Sequence, residues 1–525
     1  MLGISLSYLH FYDDFCIMGV PSYERKYPLM DELTNEVANE AVNEETPEET
    51  EEVMKEMPPV PVRRQRRKRS KFQIFKEAYL PVVIVALAAI LVITFVIGSI
   101  GRAVEKNKLE KEASIVASES VALEEAQLQA EANQLLASAK EAAEALDYQR
   151  AIDLINTFRG DINKYSELAQ MRAEYEQKMS QLVVYSDPNV VPHLSFQMLV
   201  ADPARAFVNE DYGNSYNRNY VTTDEFEKIL QQLYDNNFML VSIYDLVENS
   251  DGNYYAGTLR LPVGKKPIVL SQVAANYYTY MTDGDEDGLP DKDGAGFPYC
   301  LALDENGNFV SKMIDAEGNE VVGNFDFVTI LEKFIAEHPD FSYQGARAVV
   351  AVTGYDGIFG YRTNPDVREN QGSEYYAQQL SGAQKVVDAL KAAGYDLACY
   401  SYENISYGDS AVELIQGDLG LWEEQVAPIL GAVDILVYPY GDDIYDSMAT
   451  VYDGDKFNTL YNAGFRIFVG MDNMGNSAQV NNAYFRQTRR WVTGAKMTYA
   501  SENFTDLFNP AEVLNNQRGE VPADE

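Results

Sequence analysis

Ala78 to Gly101 reads AYLPVVIVALAAILVITFVIGSIG, without a charged residue. At about 1.5 Å of rise per residue, a helix of that length crosses a hydrocarbon core of about 30 Å. A core helix of a soluble domain usually keeps one polar face, and a cleaved signal peptide is shorter and starts earlier. Pro81 stands near the start, where its missing N–H costs little. Arg63, Arg64, Arg66, Arg67, Lys68, Arg69 and Lys71 precede the run, whereas the basic residues after it are interleaved with glutamates. That bias predicts one transmembrane helix over 78–101, with residues 1–77 cytoplasmic and everything after Gly101 outside the cell.

The 525 residues carry 42 Lys and Arg against 81 Asp and Glu, a net charge of −39. Such a balance disfavours nucleic acid as a partner of the main body. The three cysteines are Cys16, Cys300 and Cys399; Cys16 falls on the cytoplasmic side, and a Cys300–Cys399 disulfide is neither required nor excluded. Residues 31–56 are dominated by Glu, Asn and Thr, too polar to offset the entropy of ordering, so the cytoplasmic tail is expected to be mostly disordered.

From 102 to 184 the composition turns to Ala, Glu, Gln, Leu and Lys, with apolar residues at helical spacing. DYQRAIDLINTF, Asp147 to Phe158, has the rhythm of a tetratricopeptide-like hairpin, with a break at Gly160-Asp161 and a return helix from Lys164 to Val183. This region is expected to be a helical stalk, a coiled coil or such a hairpin. A surface for docking a partner is the alternative use.

Residues 185–510 alternate short apolar runs with amphipathic helices. The runs are His193–Leu199, Met239–Ile243, Pro267–Ser271, Arg347–Thr353, Asp396–Tyr400, Asp434–Pro439 and Phe465–Gly470. Thr222-Thr-Asp-Glu225 opens one helix with a capping box, and Gly382 to Ala393 forms another. Alternation of this kind predicts an α/β barrel or a doubly wound sheet, with any site at the carboxyl ends of the strands. Residues 511–525 are set apart as an acidic tail.

VPHLSFQML, VTTDEFEKILQQLYDNNFMLVSIYDL, KKPIVLS, GYDLACYSYENISYGDS and VYPYGDD occur in that order. Together they resemble the polysaccharide deacetylases of NodB homology, carbohydrate esterase family four, and ARAVVAVTGYDGIFGYRT is similar to a membrane-anchored subgroup. The resemblance covers roughly 191–497 and implies a distorted (β/α) barrel. It also implies a divalent metal, commonly zinc, held by one Asp and two His, with a second Asp as general base. Here Val273 and Ala274 occupy the carboxylate positions, Tyr400 and Asn404 the imidazole positions, and Gln197 replaces a His that often ends the first strand.

Val and Ala offer a cation nothing, and zinc is therefore not expected. Without it, water keeps a pKa of about 15.7 and supplies no hydroxide. The histidines are His10, His193 and His338; none falls on a ligand position, and His338 suits a helix end. Tyr277, Tyr402 and Tyr440 are candidates for stacking on sugar rings, Pro439-Tyr440-Gly441 retaining the family's oxyanion-hole motif. Arg362 is a candidate for a charged contact with a wall polymer, or else a structural ion pair. Cys399 reads as a buried apolar thiol.

Asp283, Asp285, Asp287 and Asp291, with Gly288 for the turn, resemble the first half of a calcium loop, although Gly294 stands where the twelfth-position Glu belongs. The bland alternative is an acidic hairpin tip. The functions carried forward are three: an inactive deacetylase-like protein binding cell-wall glycan or peptidoglycan, an active metal-dependent carbohydrate deacetylase, and a membrane-anchored scaffold.

Overall fold

A computed structural model describes residues 105–523, apart from 286–287, 446–450 and 472–474, together with Val85 and Ala88. The expected cytoplasmic tail, His10, Cys16, Asp287 and all of the expected span but those two residues lie outside the described part. No helix among the described residues is long and apolar enough to cross a membrane.

Three helices come first: α1 (Glu105–Glu144), α2 (Tyr148–Asn156) and α3 (Ser166–Ser180). Small residues of α1, among them Ala132, Ala139 and Ala142, let Ile152 and Ile155 of α2 and Leu168 and Tyr175 of α3 pack closely. Asp147 caps α2 by accepting the Arg150 N–H at 3.0 Å, and the Asp161 carboxylate opens the turn before α3. Arg159 makes a two-pronged ion pair with Glu131, at 2.9 and 2.7 Å, which ties the hairpin back to α1.

Seven parallel strands follow, interleaved with helices: β1 (His193–Phe196), β2 (Lys266–Gln272), β3 (Val349–Val352), β4 (Asp396–Cys399), β5 (Ile435–Val437), β6 (Ile467–Met471) and β7 (Tyr484–Trp491). Each pairs with the next in chain order, and β7 returns to β1 through Trp491↔Ser195. The ring is therefore closed, with no free edge to protect. Along each strand the pleat sends alternate residues to opposite faces. Val269, Val349, Ala351, Ala398, Val437 and Val469 fill the inside, while Leu270, Val350, Leu397, Leu436 and Phe468 face the surrounding helices. Burial on both faces explains the near-continuous apolar runs, and each fully buried aliphatic side chain contributes about 1.5–3 kcal/mol.

The barrel is distorted. Phe238–Leu240, where Met239–Ile243 was expected as a strand, pairs with the lower half of β2 (Phe238↔Lys266), while β3 takes the upper half (Val349↔Ser271). The last ring strand, β7, was not anticipated, because its arginines disguise a strand buried from end to end. A small antiparallel sheet of Cys300–Leu303, Phe309–Ile314 and Glu320–Gly323 is inserted between β2 and β3. Cys300 and Cys399 are both free and buried, so they do not form the disulfide that was left open.

The boundary drawn at 510 is also corrected. Val513 and Arg518 are buried, and Arg518 clasps Glu225 of the helix Thr223–Asp235 at 2.5 and 2.6 Å. At the other end of the chain's barrel, the Ala145 carbonyl accepts the N–H of Gln344 ahead of β3, and Leu146 packs nearby. The helical hairpin thus meets the amino ends of the strands, opposite the mouth.

Candidate functional site at the barrel mouth

The mouth is assembled by loops that follow β2, β4 and β5. Val273 prolongs β2, donating its N–H to the Phe196 carbonyl at 2.8 Å. Asn276 is fully buried and staples this loop to β3: its Nδ2 donates to the Thr353 carbonyl at 2.8 Å, and its Oδ1 accepts the Thr353 N–H at 3.1 Å. After β4, the buried Asp418 carboxylate accepts the backbone N–H groups of Tyr402 and Glu403 and the Tyr407 hydroxyl, all within 2.7 Å. Those bonds hold the 400–407 loop in place. The Tyr400 hydroxyl accepts the Tyr440 N–H at 2.9 Å, and the Tyr440 hydroxyl donates to the Asn404 carbonyl at 3.0 Å.

The structure accordingly gathers Val273, Ala274, Tyr400, Asn404 and Tyr440 at one end of the barrel. Val273 and Tyr400 share the interior cluster, with Ala274 packed against it. Gln197 sits half-buried just past β1. Ala274, Ser401, Asn404 and Tyr440 all hold left-handed φ angles, +53°, +59°, +57° and +59°. Non-glycine residues in this region cost on the order of 1–3 kcal/mol each and concentrate at binding and active sites.

Two sequence-based candidates are placed differently from expectation, and a third takes one of the two roles read for it. Tyr277 is fully buried, its hydroxyl donating to the Asp326 carboxylate at the head of the helix Phe327–Glu337, so it cannot face a ligand. Tyr402 is also buried, its hydroxyl bonded to Gln425. Arg362 donates to the carbonyls of Asp356 and Tyr277, at 2.7 and 2.9 Å, and lies 3.5 Å from the Asp356 carboxylate; it is the structural ion pair of the two alternatives. Of the tyrosines proposed to stack on sugar, Tyr440 keeps a half-exposed position at the mouth. Cys399 is buried in the outer core, and burial pushes its thiol well above the usual range. His338 ends the helix Phe327–Glu337 and packs on Tyr234 and Phe334.

Sequence reasoning missed Arg489. It projects from β7 into the barrel, 2% exposed, donating to the Ser195 hydroxyl at 2.8 Å and the Tyr438 carbonyl at 3.0 Å. Its neighbours on the same strand pair with carboxylates, Arg486 with Asp443 and Arg490 with Asp506. Arg489 makes no ion pair among the described residues. Deeper still, His193 contacts Gln487 at 3.2 Å; burial, and then the positive charge of Arg489, lower its pKa to about 3. The histidine is neutral at any physiological pH.

This donor set does not fit zinc. Val273 and Ala274 have no donor atom, Asn404 offers an amide, Tyr400 a phenol hydroxyl, and the guanidinium nearby is that of Arg489. Among the described residues, the group of three or more His, Cys, Asp or Glu side chains close enough to share an ion is Asp283, Asp285 and Asp291, in the loop beyond Tyr280.

No family model matches the chain. No curated protein is similar to it either. Among solved structures it is similar to the Streptococcus pyogenes deacetylase PplD in complex with acetate, at 11% identity and a TM-score of 0.32, over 61% of this chain and 99% of that one.

Proposed function

We propose that this is a membrane-anchored protein of the NodB-homology type whose barrel mouth binds cell-wall glycan or peptidoglycan without deacetylating it. The carrying observation is the composition of the mouth: the positions where the resemblance expects two carboxylates and two imidazoles hold Val273, Ala274, Tyr400 and Asn404, and they converge there. The ordered motifs and the closed parallel ring support the family reading. Loss of every donor together supports the inactive one, since fold never implies activity. Arg489 adds a second reason, because a guanidinium inside the barrel repels a divalent cation in a medium of low dielectric constant.

The helices at the amino ends of the strands suit a stalk that holds the mouth away from the membrane. Tyr440, half-exposed over the Asn404 loop, presents an aromatic face of the kind that stacks on a sugar ring. The test has two arms on the purified full chain. Metal analysis with acetate release from acetylated chitooligosaccharide should give no bound zinc and no acetate; zinc with turnover would establish the active enzyme instead. Co-sedimentation with purified peptidoglycan should retain the chain and lose Tyr440→Ala; no retention would leave the scaffold reading.

A further inference from the structure

We propose that Asp283, Asp285 and Asp291 form a calcium site. One ligand oxygen from each carboxylate lies within 4.8 Å of the other two. A cluster of acids alone would say little, but Asp283 adds an independent observation. Its side chain is 9% exposed, and its Oδ1 is buried without a hydrogen-bond partner. Its Oδ2 accepts the Gly288 N–H at 2.6 Å. A buried carboxyl oxygen left without a hydrogen-bond donor is costly, and a cation would complete it.

The surroundings bring the three charges together, the Asp291 carboxylate accepting the N–H groups of Gly284, Asp285, Asp293 and Gly294. Lys292, the base closest in sequence, is engaged with Asp293 at 2.6 Å. Gly284 and Gly294 allow the close approach: a Cβ at Gly284 would stand 2.5 Å from the Asp293 backbone, and one at Gly294 would stand 2.4 Å from the Thr282 carbonyl oxygen. The Asp291 N–H donates to that carbonyl at 2.9 Å, closing the loop on itself. Three oxygen donors, with no nitrogen or sulfur among them, select a hard cation, and the irregular loop suits calcium better than the strict octahedron of magnesium. Bound calcium would brace the segment leading out of the mouth, where Tyr278 and Tyr280 stack on each other.

Calcium binding to the full chain, stripped with chelator, tests this by titration calorimetry and by terbium luminescence. One calcium per chain is expected, with Kd on the order of 10⁻⁴ to 10⁻³ M, as in extracellular modules. At a tenfold excess over Kd, Tm should rise by about 2 °C. Asp283→Asn should abolish binding. Asp285→Asn, at an exposed position that leaves folding intact, should weaken it at least tenfold, and the surface control Asp409→Asn should not change it. Absence of binding at millimolar calcium would overturn the assignment, as would binding indifferent to both substitutions or an equal response to magnesium. None of these outcomes depends on whether the mouth binds glycan.

Discussion

Two buried arginines mark two parts of this molecule built to opposite specifications. Arg518 locks the end of the chain onto the outer layer. It meets both oxygens of Glu225, the carbonyl and side-chain oxygens of Asn217 and the carbonyl of Tyr220, all at 3.0 Å or less. Glu225 in turn caps its own helix through the Thr222 N–H. Arg489 lies in the barrel mouth with a hydroxyl and a carbonyl for company, and polar atoms of Ser271, Asn404 and Arg489 itself stay unpartnered. The clasp satisfies every charge; the mouth stores unsatisfied groups and left-handed backbone. A fold tolerates that only where something other than stability keeps it.

Breaking the clasp should produce the largest effect. Arg518→Ala leaves the Glu225 carboxylate buried without its cation, and urea unfolding should show a loss of about 3–5 kcal/mol. A loss below about 1 kcal/mol would remove the contrast.

Acid should act next, through the barrel interior. His193 has a folded pKa near 3 against an ordinary 6.5, so between those values the unfolded chain binds the extra proton. The stability this histidine contributes is full above 6.5 and falls by about 1.4 kcal/mol per pH unit below it. His193→Asn should therefore flatten the pH dependence of unfolding between pH 6.5 and 4.5 by about 2 kcal/mol. Parallel curves for the two proteins would show the histidine to be uninvolved.

Relief of strain at the mouth should stabilise. Ala274→Gly removes a Cβ from a φ of +53° and should add about 1 kcal/mol. A destabilisation would mean that the methyl contact with the interior cluster outweighs the backbone cost. The smallest change is expected for Arg489→Met, within about 1 kcal/mol of the parent, because the lost hydrogen bonds are offset by a desolvated charge that no longer needs burial. A loss comparable to that of Arg518→Ala would place an anionic partner beside Arg489 and end the comparison.

How much of this was legible in the sequence depends on whether a feature is local. The capping box at Thr222 forms as written, with both reciprocal bonds. The hairpin over 147–183 breaks at Asp161, and six of the seven ring strands overlap the runs read for them, because a strand buried on both faces is apolar throughout. β7 escaped because YFRQTRRW reads as solvent-facing. Its arginines are met by Asp443 and Ser195, 43 and 294 residues away, and by Asp506, 16 residues on. Tyr277 and Tyr402 were misplaced for the converse reason: an aromatic near a motif carries no mark of which side of the loop it will take.

The residues of the chain by themselves determined the alternation that closes into a parallel ring and the chemical poverty of Val273, Ala274, Tyr400 and Asn404. Both follow from side-chain identity and short-range spacing. Only the tertiary structure decided that Arg489 enters the barrel, that Arg518 turns an acidic tail into a clasp, and that Asp283 meets Asp285 and Asp291 with an oxygen left over. Burial and the pairing of charges are properties of neighbours distant in the chain, and they exist only once the ring has closed.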